Sequence, residues 1–309
     1  MAVAYADAKG LPYETKTKQQ IIELGGVTNE LVLPDSFSID FEDFKGRSVG
    51  TWSDDTQHTL AMMQMLTQHR AFDAVMLVEK LRDEYQKSSA GWGGATKFAM
   101  DSLPENPDLD YLRRSALEST GCGPLMRLAP LAIFQAMKCE SDSVIVDISD
   151  ATTMTHNSNA AIAAALTVAH FMRENAKGMM STVLDSSADL ASDYESMLYV
   201  EPRLTRALKR AQGHNDIAKA VYEDENPFSI WCVAAVAIES FSRERDDFFA
   251  LIDNVISEGG DTDSTAAVAA GLFMAANPDF RLDDDIVQQL DRSDELLAAG
   301  KAFAELVSR

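Results

Sequence analysis

The chain has 309 residues, enough for one large domain or two ordinary ones, and its 46% hydrophobic and 25% charged content is that of a globular protein with a substantial core. Lys and Arg number 27 against 49 Asp and Glu, a formal charge of -22, and that field repels nucleic acid and anionic membranes. Neither is expected as a partner, whereas a small anionic ligand held locally by backbone amides or metal ions is compatible with the charge.

Three cysteines, Cys122, Cys139 and Cys232, show no CxxC spacing and leave one over if two pair, which suits a reducing cytoplasm and gives no zinc-type site. Met1 to Lys9 has no basic start before an apolar core, and no run of about eighteen apolar residues follows anywhere. A soluble, cytoplasmic protein is expected.

Taken in order, the first residues read as a short helix stopped by Gly10 and Pro12, with Glu14 directly after the stop. Taken locally, Glu14 reads as solvated surface. Gly25 to Thr51 is irregular, with Phe37, Phe41 and Phe44, and reads either as a functional flap or as a loop packed by those rings. Ser53 then makes a good N-cap for a helix whose first turn carries Asp54 and Asp55, with Leu60, Met63 and Leu66 following at helical spacing. Capping alone accounts for that Ser-Asp-Asp sequence. A second helix is expected over Ala71 to Gln86.

Gly91-Trp92-Gly93-Gly94-Ala95-Thr96 is a glycine-rich turn entering a helix, a setting in which free N–H groups cradle phosphate. It lacks the Gly-Lys-Ser/Thr ending of a Walker loop and has no strand before it. A second such turn, Ser119 to Pro124, introduces a helix from Leu125 to Lys138 that carries Met126 and Arg127. Thr155 and His156 precede the apolar helix Ala160 to Glu174, with His156 readable as a ligand contact or a capping side chain. His58, His69, His170 and His214 show no ligand spacing. Further helices are expected over Ser187 to Leu198, Pro202 to Gln212, Pro227 to Phe241, Arg245 to Ser257, Asp263 to Ala276 and Ser293 to Ser308. Ser143 to Val146 is the only candidate strand. The expected fold is all-α, one domain over residues 1–309.

Glu258-Gly259-Gly260-Asp261-Thr262-Asp263-Ser264-Thr265 repeats the chemistry of the Ser53 stretch: paired carboxylates and a hydroxyl at the start of an apolar helix. If the two helix starts meet, the crowded carboxylates need a cation between them. Oxygen-only ligation favours Mg2+ or Mn2+ over zinc or copper. An EF-hand is excluded, because its sixth position is Ala266 and its twelfth is Leu272. The Asp-rich helix of an isoprenoid synthase is a second reading, weakened by His58 and Thr59 where a third carboxylate belongs.

Five blocks, Asp7 to Glu14, Ser53 to Thr56, Gly121 to Arg127, Thr155 to Asn157 and Gly259 to Ser264, together resemble the ADP-ribosylglycohydrolase family. The resemblance implies an orthogonal helix bundle with a binuclear Mg2+ or Mn2+ site between helix N-termini, ligated at Ser53, Asp54, Asp55, Asp261, Asp263 and Ser264. It implies that Glu14 gates or ligates the metals. Asp54, Asp55 and Glu14 are the implied proton-transfer candidates. Gly91, Gly93, Gly94, Gly121, Cys122, Gly123, Met126, Arg127, Thr155 and His156 are implied to line an ADP-ribose cleft.

The implied substrate is an ADP-ribosylated protein, with an arginine linkage favoured slightly over serine, or a small ADP-ribosyl metabolite. A non-catalytic ADP-ribose-binding relative is the alternative. The sequence does not give the oligomeric state. Cys122 stands where the family commonly has asparagine, and Ala6-Asp7 falls almost at the chain start where a longer first helix with Gly-Asp is usual.

Overall fold

The computed structural model describes residues 1–37, 42–138, 143–179 and 186–308, so Phe41 and Cys139 lie outside it. Its helices run α1 (Ala2–Gly10), α2 (Lys18–Glu23), α3 (Asp54–His69), α4 (Ala74–Lys87), α5 (Gly94–Asp101) and α6 (Leu109–Ser115). They continue as α7 (Leu128–Lys138), α8 (Ser143–Thr153), α9 (Asn159–Ala176), α10 (Ser187–Met197), α11 (Arg203–Ala211) and α12 (Ile217–Tyr222). The last are α13 (Ile230–Arg243), α14 (Phe248–Ser257), α15 (Thr262–Ala276), α16 (Asp284–Val287) and α17 (Ser293–Ser308). Among the described residues the only β pairing is two isolated bridges, Thr17 to Gly259 and Gly121 to Ser229. No helix among them is long and apolar enough to cross a membrane.

Helix α15 is the axis of the bundle. It packs against α1, α3, α7, α9, α13 and α14, and is buried along nearly its whole length. Its composition explains this, since a helix apolar on every side has no face to give to water. Small residues, Ala266, Ala267, Ala269, Ala270 and Gly271, let its neighbours come close. A Cβ on Gly271 would lie 2.8 Å from Ala129 Cβ and 2.9 Å from Met172 Cε.

The closest approach is at the start of α15, where the end of α1 abuts it. A Cβ on Gly10 would lie 2.6 Å from the Thr262 carbonyl oxygen and 2.7 Å from Asp263 Cα, so only glycine fits. Thr262 Oγ1 closes the junction by donating to the Gly10 carbonyl at 2.8 Å.

One expectation changes. Ser143 to Val146 is the first turn of α8, not a strand: Ile148 and Ala151 are buried three residues apart while Ile145 and Val146 are exposed, which is helical periodicity. The described part of the irregular stretch before Thr51 includes a 3-10 turn, Glu42–Phe44, and packs through Phe37 and Phe44, as one of its two readings has it. Phe44 is buried with Leu11 and Ala90, and the Phe37 ring lies 4.9 Å from that of Tyr13.

Gly10→Ala forces two backbones apart at a well-packed junction, and should destabilise the protein by about 2 kcal/mol. Denaturant unfolding checks this; an unchanged midpoint would show that α1 and α15 can separate freely.

Candidate metal centre and cleft

Three elements meet at the Gly10 junction, and each brings carboxylates. Helix α1 carries Asp7, and the 3-10 turn Leu11–Tyr13 that follows it delivers Glu14. Helix α3 begins with Ser53 as N-cap, so Asp54 and Asp55 occupy its first turn. Helix α15 begins at Asp261, with Asp263 and Ser264 in its first turn. Two helix N-termini therefore point their positive dipole ends at the same carboxylates. The glutamate turn is pinned to the second acidic stretch by backbone bonds, Thr15 N–H to the Gly260 carbonyl at 2.9 Å and Gly260 N–H to the Lys16 carbonyl at 2.8 Å.

Asp7 is the joint between α1 and α3. Its Oδ1 accepts from Ser53 N at 2.8 Å, and its Oδ2 accepts from Thr56 N at 3.0 Å and Thr56 Oγ1 at 2.6 Å. Asp55 Oδ2 accepts from Ser53 Oγ and from Ser264 Oγ, each at 3.1 Å, which ties α3 to α15. Asp261 Oδ2 accepts the Cys122 thiol at 2.9 Å.

Among the described residues, two groups of carboxylates have ligand oxygens within 4.8 Å of one another: Asp7, Asp55 and Asp263, and Glu14, Asp261 and Asp263. Asp263 belongs to both. Two oxygens in them, Asp55 Oδ1 and Asp263 Oδ1, are buried with no hydrogen-bond partner. Buried polar atoms are rarely left so, and an all-oxygen donor set with two orphaned carboxylate oxygens fits a divalent cation.

The electrostatics agree. Burial lifts the Asp7 carboxyl to about 6 even though Thr56 and Ser53 donate to it. Burial and then the charge of Asp7 lift Asp54 to about 8. Asp55 and Asp263 are driven well above the carboxylate range by burial and by each other's neighbours, Asp7 first for Asp55 and Glu14 first for Asp263. Glu14 rises likewise, through burial and Asp261.

Above the centre opens a cleft of about 220 Å³. Glu14, Asp54, Asp261, Asp263 and Ser264 face it, whereas Ser53 and Asp55 are not among its lining residues. Gly91, Gly93 and Gly94, with Gly121, Cys122, Gly123, Met126 and His156, form its other walls. Gly91 has a φ of +83°, and a Cβ there would meet Asp54 Oδ1 at 2.8 Å. The Gly121 turn lies on the His156 ring, where a Cβ on Gly123 would reach Cε1 at 2.9 Å. At the start of α5, which lines the cleft, a Cβ on Gly93 or Gly94 would meet nothing, and the first N–H groups of the helix have no side-chain cap.

Arg127 and Thr155 lie behind the cleft wall. Arg127 is fully buried, its Nε donating to the Ala151 carbonyl at 2.9 Å, Nη2 to Thr155 Oγ1 and Nη1 to His58 Nδ1 at 3.2 Å. Since a guanidinium only donates, His58 Nδ1 accepts and the imidazole is neutral. Burial and Arg127 push His58 well below its usual range, and bring His156 to about 3. Sequence reasoning left three residues out of the site. Asp7 stood at the head of the first block of the resemblance but was given no role in the site. His58 carried no spacing that set it apart, and Phe228, which lines the cleft, lies far along the chain in Asn226-Pro227-Phe228.

Carboxyls raised above their unfolded value of 3.8, to about 6 at Asp7 and about 8 at Asp54, hold protons in the folded state that the unfolded chain has released. Their stabilisation is present at low pH and lost as pH rises through those values. In chelator the melting temperature should therefore fall between about pH 5 and pH 8, as thermal melts would show. A rise across that window would contradict the crowding. A divalent cation at about a hundred times its Kd should add about 2.7 kcal/mol, and Asp263→Ala should abolish that gain. Equal metal stabilisation in the variant would remove Asp263 from the centre.

Comparison with known proteins matches the ADP-ribosylglycohydrolase family model over residues 1–309. Relatives include an uncharacterised protein of Archaeoglobus fulgidus, 24% identical over 274 residues that cover 88% of this chain and 84% of that one. Another, from Acanthamoeba polyphaga mimivirus and provisionally named an ADP-ribosyl glycohydrolase, is 26% identical over 249 residues, covering 74% and 72%. A solved structure titled an ADP-ribosylglycohydrolase-related protein complex shares the fold, with a TM-score of 0.66 at 21% identity over 99% of this chain and 95% of that one. With its whole length matched and its carboxylates gathered at one cleft, the chain belongs to the ADP-ribosylglycohydrolase family and is classed with its hydrolases.

Proposed function

We propose that the protein hydrolyses the bond joining the terminal ribose of ADP-ribose to a protein side chain, arginine slightly ahead of serine, with two Mg2+ or Mn2+ ions. The observation that carries this is Asp263, a single buried carboxylate shared by two ligand groups at the floor of a cleft whose far wall is built from glycine turns. When bound, such ions supply positive charge that offsets the carboxylates and polarises the oxygens of a bound sugar.

The chain's own residues divide the remaining work. Asp7, Asp55, Asp261 and Asp263 are the ion holders, with Ser53 and Ser264 fixing Asp55 by hydrogen bonds. The open N-terminus of α5 receives an anionic diphosphate through Gly94, Ala95 and Thr96, where the helix dipole favours negative charge. Phe228 offers an apolar surface on the rim, held beside the Gly121 turn by Ile230 N–H donating to the Thr120 carbonyl at 2.8 Å. His156, kept neutral, backs that turn.

Cleavage of a glycosidic bond needs a proton delivered to the leaving atom and one removed from the attacking water. Four carboxylates, Glu14, Asp54, Asp261 and Asp263, line the cleft; with Asp261 and Asp263 assigned to the ions, Asp54 and Glu14, which stands beside the second ligand group, are the proton carriers. Asp55, held by two hydroxyls out of the lining, is a ligand and not an acid or base.

Release of free ADP-ribose from arginine-linked and serine-linked substrates, with Mg2+ or Mn2+ and then with excess chelator, tests this reading. Release from the arginine-linked substrate that chelator abolishes is expected. Release only from the serine-linked one would overturn the linkage, and tight ADP-ribose binding without release from either would make the protein a binder.

A further inference from the structure

The corner Asp291–Arg292 is remote in sequence from every residue of the cleft, yet it is bonded to both of the segments that carry Asp54 and Gly91. On one side it holds the chain entering α3. Asp291 accepts from Ser48 Oγ at 2.9 Å and Thr51 Oγ1 at 2.8 Å, its carbonyl accepts from Trp52 Nε1 at 2.8 Å, and its N–H donates to the Gly50 carbonyl at 3.0 Å. The approach is so close that a Cβ on Gly50 would overlap the Gln289 carbonyl oxygen. Arg292, whose φ is +54°, sets its guanidinium 5.0 Å above the Trp52 ring.

On the other side the same guanidinium grips α4. Its Nη1 and Nη2 donate to Glu84 Oε2 and Oε1 at 2.8 and 3.0 Å, while Nε donates to Glu295 at 2.7 Å. The Glu84 side chain is 1% exposed, and its one other cationic partner among the described residues, Lys87, is 48% exposed. From that end of α4 the chain runs into the Gly91 turn. Gln57 of α3 fastens this run by donating to the Glu84 and Ser88 carbonyls at 2.8 and 3.0 Å and accepting from Trp92 Nε1 at 2.6 Å.

We propose that Arg292 is a positioning residue for the cleft: one planar guanidinium, stacked on Trp52 and bidentate on Glu84, fixes the spacing between the Ser53-Asp54-Asp55 start of α3 and the Gly91 turn. Gly91 sits against Asp54 with no room for a side chain, so a shift of either wall changes how Asp54 meets the cleft. Arginine is required because lysine supplies the charge without the fork or the stacking plane. Removing it leaves the buried Glu84 carboxylate short of a partner, which breaks the grip on α4 as well as on Trp52.

Hydrogen exchange on the full-length, metal-free protein tests this independently of any metal or activity, so its failure is distinct from failure of the proposed function. In Arg292→Met, amides over residues 50–56 and 88–94 should both exchange about tenfold faster or more, with Arg292→Lys recovering only part of the protection. Phe303→Leu, a core change on α17, is the stability control and should leave both segments unchanged at a similar loss of melting temperature. Faster exchange in Arg292→Met confined to residues 289–295, or the same pattern in the Phe303 control, would overturn the assignment. Full protection in Arg292→Lys would overturn the requirement for the guanidinium.

Discussion

Gly10 meets the first turn of α15 with no space for even one more carbon atom, and the site depends on that contact. It brings the end of α1 onto Thr262 and Asp263, and Asp7 and Glu14 follow because they lie one turn before and one turn after. Asp7 then captures the start of α3 through Ser53 and Thr56. Three chain segments that are distant in sequence thus have their positions set by one backbone contact and one carboxylate.

What this contact creates is unfavourable taken alone. Buried carboxylates lose hydration, and each raises its neighbours' affinity for protons. Serine hydroxyls, the Cys122 thiol and backbone N–H groups satisfy part of the oxygen set, yet one oxygen on Asp55 and one on Asp263 remain without partners. The fold around them is closely packed, with an axial helix of small residues and a neutral His156 and buried Arg127 behind the wall. A packed frame that keeps unsatisfied carboxylates in place is the arrangement a cation-dependent site requires.

Much of this was legible in the sequence. The Ser53 and Asp261 clusters, each followed by an apolar run, announced two helix starts, and both form: Ser53 caps its helix by accepting from Asp55 N–H, while the start at Asp261, which makes no side-chain cap, follows from the apolar run behind it. The glycine turns were legible because turn chemistry is local. Asp7 stood in the first block of the resemblance, but its role was not legible, since that role comes from what the side chain captures across the fold. Arg127 and Thr155 read as cleft residues from their neighbours in the chain, but α7 and α8 turn them inward to bond each other. The strand expected at Ser143 failed because four residues are too few to separate a period of two from one of 3.6. The short helices α2, α6, α12 and α16 escaped notice since so few residues show no periodic face. The Arg292 clamp was invisible, being a contact between segments joined by nothing local.

The central claim is that Asp263 stands between two ions. Anomalous diffraction from crystals grown with Mn2+ measures this directly. Two peaks are predicted, one beside Asp7 and Asp55 and the other beside Glu14 and Asp261, each with Asp263 as a ligand. A single peak, or two that do not share Asp263, would contradict the account.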